Sequence, residues 1–122
     1  MKNRHLRLLV ILLGLTLGGC KRYTNKDRYI ISIGEKLDLY YSTNSCCYYC
    51  LSNEKELKHV TLLGRKTIDE GPEDCEGCNF VAAFTLQGKS IGIDTVELKL
   101  LTATMSCDED YGVPEKYIIE VK

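Results

Sequence analysis

Beyond its first nineteen residues the chain holds one histidine, His59, and it contains no tryptophan anywhere. A lone imidazole excludes a histidine cluster around a metal. Any Ser/His/Asp or Cys/His nucleophilic site would have to rest on His59, which stands beside the apolar run Val60-Thr61-Leu62-Leu63 and reads as a structural or surface residue. Long apolar runs are missing too: Leu8 to Leu17, broken by Gly14 and Thr16, is about half the ~20 residues a bilayer-spanning helix needs. Basic charge is in short supply. Of 16 lysines and arginines, Lys2, Arg4 and Arg7 lie in the first nineteen residues, which hold none of the 17 acids, so the remainder has 13 against 17 and a net charge of −4. Nucleic-acid binding depends on a clustered basic surface, so that class of partner is excluded. No internal repeat or low-complexity tract occurs. The 122 residues make one domain, large enough for a core and small enough to gain from covalent staples.

The chain starts with an export pattern: basic Met1 to Arg7, the apolar centre, then Leu17-Gly18-Gly19-Cys20. That ending resembles the lipobox of bacterial lipoproteins, which implies that residues 1–19 are removed and that Cys20 is diacylated and becomes the mature N-terminus. Two or more acyl chains, at ~0.8 kcal/mol per buried methylene, would hold the protein on a membrane without spanning it. The expected location is the bacterial cell envelope. Residues 20–27 carry no hydrophobic period and read as the lipidated Cys and a mobile tether to a domain at 28–122.

Six cysteines remain after Cys20. Cys46, Cys47 and Cys50 fall in Ser45-Cys46-Cys47-Tyr48-Tyr49-Cys50, Cys75 and Cys78 in a Gly/Pro/acid-rich run from Glu70 to Asn79, and Cys107 in Ser106-Cys107-Asp108-Glu109-Asp110. An even count in an exported chain points to three disulfides, although six cysteines allow 15 pairings. Cys47-x-x-Cys50 with Cys75-x-x-Cys78 also fits a four-thiolate zinc site, leaving Cys46 and Cys107 without a role. A redox-active pair would need a helix N-terminus to depress a thiol pKa, and neither motif is flanked by a helical pattern. Oxidation is the reading the compartment favours. A bridge from Cys46 or Cys47 to Cys75 or Cys78 would close about thirty residues and contribute roughly 3 kcal/mol, far more than a bond within either motif.

The rest of the chain reads as short strands. Arg28 to Ile33 is β-branched; Lys36 to Tyr41 alternates with Leu37, Leu39 and Tyr41 on one face; Phe80 to Leu86 is apolar on both faces. Ile93 to Leu100 sets Val96, Leu98 and Leu100 against a wet face, and Tyr117 to Val121 closes the chain. Between them, Asn53 to Glu56 could cap a short helix carrying Leu57 and Val60, yet Val60 to Leu63 also fits a strand, and the strand is the preferred reading. The architecture expected is all-β, an immunoglobulin-like antiparallel β-sandwich of about seven strands, with the cysteines in polar loops stapled together at one end. Asp108, Glu109 and Asp110 lack the ordered ligand pattern of a calcium loop and read as a solvated tip. Tyr48 and Tyr49 are candidates both for packing and for partner contact.

Three stretches carry a further resemblance: Gly34-Glu35-Lys36-Leu37-Asp38-Leu39 leading to Asn44, then Asn79-Phe80-Val81-Ala82-Ala83-Phe84, then Gly92-Ile93-Asp94-Thr95-Val96-Glu97-Leu98. In order and spacing the chain resembles the chagasin-type inhibitors of papain-like cysteine proteases. The resemblance implies a non-enzyme without cofactor, probing a protease cleft with three loops and blocking it sterically. Those loops would be Asn44, Ser45, Cys46, Cys47, Tyr48 and Tyr49, then Glu76, Gly77, Cys78 and Asn79, then Thr102, Ala103 and Thr104. Of the family's Asn-Pro-Thr-Thr-Gly only the Asn is present, and its Arg-Pro-Trp is replaced by Thr102-Ala103-Thr104. The implied partner is a papain-like protease met by a monomer on a lipid anchor. The alternatives are a surface sandwich binding another protein or a glycan, and the four-cysteine zinc module.

Overall fold

The computed structural model describes residues 23–44, 47–71, 79–102, 104–108 and 112–122. The expected export segment, Cys20, Ser45, Cys46, Cys75, Glu76, Gly77, Cys78, Ala103, Glu109 and Asp110 lie outside them. Seven strands run in chain order: β1 (Arg28–Ile31), β2 (Lys36–Thr43), β3 (Cys47–Leu51), β4 (Val60–Asp69), β5 (Phe80–Gly88), β6 (Gly92–Thr102) and β7 (Glu115–Val121). They form a four-stranded sheet in the order β1-β7-β6-β3 and a three-stranded sheet in the order β2-β5-β4. Every pairing is antiparallel except β1 with β7, which run parallel.

Strand alternation builds the core. Leu39, Val60, Phe84 and Leu86 from the small sheet meet Ile31, Leu51, Val96, Leu98, Tyr117, Ile119 and Val121 from the large one. Each fully buried aliphatic side chain contributes about 1.5–3 kcal/mol of transfer free energy. Tyr41 ties the sheets near one end, its ring 4.9 Å from Phe84 and 5.5 Å from Tyr49. β5 is the central strand of its sheet, which accounts for the burial of both its faces at Ala82, Ala83 and Phe84.

The strands depart from the sequence expectations in several places. Leu100 does not join Val96 and Leu98 in the core: it is 55% exposed while Leu101 is 1% exposed. The alternation slips by one residue just beyond the Leu98–Glu115 pair, where β6 has lost its β7 neighbour and is held by β3 alone. β4 is ten residues long and continues through the polar stretch Gly64 to Asp69. As the edge strand of its sheet it needs only one ladder, and register irregularities at Leu62/Gly64 and Thr67/Asp69 let its exposed half follow the twist. Asn53 caps no α-helix. A single 3₁₀ turn spans Glu54–Glu56, and the Asn53 amide instead donates to Thr95 O (2.6 Å) and accepts from Glu97 N (2.9 Å), pinning the β3–β4 connection to β6.

The polar segment ahead of β1 also differs from expectation. Its described part, Tyr23 to Asp27, is docked rather than free. The Asn25 side chain imitates a neighbouring strand: it donates to Tyr40 O (2.7 Å) and accepts from Tyr40 N (2.8 Å), filling the free edge of β2. Tyr23 packs on Tyr40 with ring centroids 5.3 Å apart.

His59 is a brace at the end of the sandwich that holds the β5–β6 turn. Its ring lies over Gly92, where any Cβ would collide with it, and its Nδ1 is 3.0 Å from Ser90 Oγ, which in turn donates to Lys58 O. Next to it Asp94, 7% exposed, accepts backbone N–H bonds from Lys58, His59 and Val60 at 2.7–3.2 Å. That carboxylate fixes the start of β4.

Candidate functional site

Thr43, Cys47, Phe80 and Thr102 lie together by register at the other end, with Thr43 paired to Phe80 and Cys47 to Thr102. Here β3 is the hub, and here the sequence reading needs its main correction. Cys47, Tyr48 and Tyr49 are not loop residues but the first three residues of a strand, Cys50 is 8% exposed within it, and Thr102 is the last residue of β6. Tyr and Cys are good strand formers, and Cys47 to Leu51 finds a full ladder against Leu98 to Thr102. The aromatic pair between two cysteines carried that signal. Clustered thiols drew the reading toward a loop.

Three connections are tied to this strand. In the β2–β3 turn, Thr43 Oγ1 donates to Cys47 O at 2.6 Å, Asn44 N to the same oxygen at 3.2 Å, and Cys47 N to Asn44 Oδ1 at 3.1 Å. Asn44 thus closes the turn with its own side chain, as Asn does readily. Its Nδ2 also donates to Asn79 Oδ1 at 2.8 Å, linking the turn to the residue that opens β5. The third tie is covalent: Cys50 is disulfide-bonded to Cys107 in the β6–β7 connection, 57 residues away. Tyr48 reinforces it by donating to Met105 O at 2.9 Å. Cys47 is disulfide-bonded as well, to a cysteine outside the described residues. With the sulfurs of Cys47 and Cys50 so engaged, the first half of the four-thiolate zinc set is not available as thiolate.

The predicted site residues thus divide. Asn44, Asn79, Cys47, Tyr48, Thr102 and Thr104 meet at one end, where Thr102 Oγ1 and Thr104 Oγ1 are 3.4 Å apart. Tyr49 turns away from that group. Its hydroxyl is 3.3 Å from Glu115 Oε1, and Tyr117 donates to the other oxygen at 2.8 Å. Burial pushes the Tyr49 phenol above its usual range and the Glu115 charge adds to this; Tyr117 is raised mainly by burial, with Glu115 contributing.

Sequence reasoning missed the flank of this end. Two shallow depressions of about 260 and 250 Å³ open between the edge strands β3 and β4, sharing Tyr48 and Arg65. Tyr41, Thr43, Lys66 and Phe80 line the first; Cys50, Leu62, Phe84 and Cys107 line the second. The Arg65 guanidinium sits 5.7 Å from the Phe84 ring centroid. Lys66 pairs with Asp38 at 2.8 Å. Burial raises the Asp38 carboxyl, but the Lys66 ammonium and the Thr85 hydroxyl outweigh it and leave the group below the usual carboxylate range. The Arg65-Lys66 pair stands in a polar run that carries no alternation, so only the pairing of β4 with β5 reveals it. The arrangement offers a firm, open contact surface with phenol, amide and cationic groups.

No protein-family profile matches the chain, and no curated protein sequence matches it. Solved structures do. The domain is similar to amebosin, with a TM-score of 0.59 and 10% identity over 78% of this chain and 88% of that one. It is similar to the cysteine protease inhibitor EhICP2 from Entamoeba histolytica, with a TM-score of 0.58 and 15% identity over 78% of this chain and 86% of that one. The seven-stranded sandwich with its stapled end therefore has the fold of the chagasin-type cysteine protease inhibitors.

Proposed function

We propose that the protein is a lipid-anchored, monomeric, reversible steric inhibitor of papain-like cysteine proteases, exported to the bacterial cell envelope and held there through Cys20. The observation that carries the reading is the shared fold with a protein described as a cysteine protease inhibitor, over nearly four-fifths of this chain. The build of the stapled end supports it. A wedge entering a cleft loses affinity for every side chain and loop it must order, about 0.5–1.5 kcal/mol per immobilised rotamer-rich side chain. Here the β2–β3 turn is closed by Asn44 and the β6–β7 connection is fixed by Cys50–Cys107, so much of that ordering is done before the encounter.

Asn44 takes the central position, with Asn79 and the segment Thr104 to Asp108 flanking it. The open depression beside Tyr48 and Arg65 offers additional contact to a protease rim. Blockade requires no reaction at the protease thiol. The experiment is a progress-curve assay of papain with the oxidised, signal-free protein. The reading predicts competitive, reversible inhibition at sub-micromolar concentration, with the inhibitor recovered intact. Undiminished papain activity with micromolar folded, oxidised protein would overturn it.

A further inference from the structure

We infer that the depression between the edge strands β3 and β4 is a carboxylate-binding site, in which Arg65 receives a glutamate or aspartate side chain from the rim of the partner protease. This rests on the inhibitor reading and adds to it a contact outside the cleft. The site is defined by which donors are already spent. Thr43 has committed its hydroxyl proton to Cys47 O (2.6 Å), and Tyr48 has committed its own to Met105 O (2.9 Å). Lys66 is held by Asp38 at 2.8 Å, and that carboxylate also accepts from Thr85. Arg65 differs from all three. Its guanidinium lies 5.7 Å from the Phe84 ring centroid and makes no ion pair or hydrogen bond among the described residues. The ring face attracts the charge but leaves the planar fork of N–H donors to be satisfied, and that fork matches a carboxylate through two parallel bonds.

The surroundings select the anion. With Lys66 neutralised by Asp38, the depression carries one uncompensated positive charge, which suits a monoanion, whereas a doubly charged phosphate would also meet the Asp38 carboxylate beside Lys66. Tyr41, Tyr48, Phe80 and Ala82 offer apolar wall to the methylenes of an acidic side chain. Position selects the source. Thr43 and Phe80 line the same depression and are the chain neighbours of Asn44 and Asn79 at the tip. Arg65 pairs with Phe84, four strand residues along β5 from Phe80, or about 13 Å back from the tip. A cleft wall flanking the inserted end reaches that level; the cleft floor does not. β3 and β4 are both sheet edges, so among the described residues no further strand covers the approach.

Arg65 is exposed, so it can be replaced without disturbing the core. The probe is acetyl-Gly-Glu-Gly-amide, titrated at low salt into the isotope-labelled, oxidised protein and followed by nuclear magnetic resonance. The Arg65 Nε–H and the backbone amides of Tyr48 and Thr67 should shift saturably. The glutamine peptide acetyl-Gly-Gln-Gly-amide should shift none of them, and the response should vanish in Arg65→Gln and return in part in Arg65→Lys. Equal shifts with the glutamine peptide, shifts that persist in Arg65→Gln, the absence of a saturable shift, or a larger response to inorganic phosphate would overturn the carboxylate site. Inhibition constants then test the source. Over a set of papain-like proteases graded by the charge of the cleft rim, Arg65→Gln should weaken inhibition about fivefold where the rim is acidic and leave it unchanged where it is neutral or basic. A ratio flat across the set would overturn the rim contact. Parent protein that inhibits none of the set would overturn the inhibitor reading and with it the rim as the source, whereas the peptide titration tests the carboxylate site by itself.

Discussion

Replacing Cys50 and Cys107 together by alanine should weaken the domain by several kcal/mol, because it removes a bond between strand β3 and the β6–β7 connection. The bond closes a loop of 57 residues, and the loop-entropy relation, 2.1 plus 1.5R ln n cal/mol/K, gives about 4 kcal/mol at 25 °C from restriction of the unfolded chain. Native domains have only about 5–15 kcal/mol to lose. Cys50 is also 8% exposed, so the double variant gives up some buried sulfur contact as well. For a domain near this size each kcal/mol is worth roughly 4–8 °C in Tm, which puts the expected drop at about 15–30 °C. The assay is urea and thermal denaturation of the chain without residues 1–19, followed by tyrosine fluorescence. Because the uncoupled chain expands when unfolded, the urea m-value should rise as the midpoint falls. A loss below about 1 kcal/mol with an unchanged m-value would refute the reasoning, since neither the loop constraint nor the burial would then matter. Both cysteines must be changed at once, because a single substitution leaves a reactive thiol in a domain that also holds the Cys47 disulfide.

Other consequences are testable in the same preparation. Asn25→Ala removes both side-chain bonds to the Tyr40 backbone and should cost about 1–3 kcal/mol, with faster hydrogen exchange at the Tyr40 amide; an unchanged exchange rate would contradict the docked segment. Asp94→Ala leaves three backbone N–H groups without their acceptor and should destabilise by about 3 kcal/mol, while protease inhibition at the opposite end stays as in the parent. The Asp38 carboxyl is held below its unfolded value, so its contribution is present above about pH 4 and is lost as pH falls through the folded pKa. The pair with Lys66 is half exposed and worth less than about 1 kcal/mol, so Asp38→Asn should flatten the acid limb of the stability profile only slightly. Tyr49 and Tyr117 are raised in the folded state, so they favour folding below the ordinary tyrosine range and cease to do so as pH rises through their folded values. Ultraviolet titration should show them ionising above the ordinary tyrosine range, and a smaller rise in Glu115→Gln would identify the carboxylate as a contributor beside burial.

What the sequence revealed depended on how well its side chains alternate. β5 and β7 were readable because Phe80 to Leu86 and Tyr117 to Val121 are apolar runs with plain ends. The sandwich class followed from their spacing. β3 was not, because its thiols and two phenols look polar in a run whose ladder partner, Leu98 to Thr102, lies roughly fifty residues away. The upper half of β4 was hidden for a related reason: an exposed edge strand buries neither face, so Arg65 to Thr67 leave no period to detect. Oxidised cysteines across connections were anticipated, but Cys50–Cys107 is a tertiary choice among 15 pairings. The Asn25 clamp left no signal at all. An asparagine that substitutes for a strand's backbone differs from a linker asparagine only in what lies beside it.

Hydrogen exchange of this protein bound to papain whose catalytic thiol has been blocked addresses the central claim most directly. The account predicts new protection at Asn44, at Cys47 and Tyr48, at Asn79 and across Thr104 to Asp108, with the Gly34 and Ser90 turns unaffected. Protection centred on those two turns, with the cysteine-bearing end still exchanging freely, would contradict it.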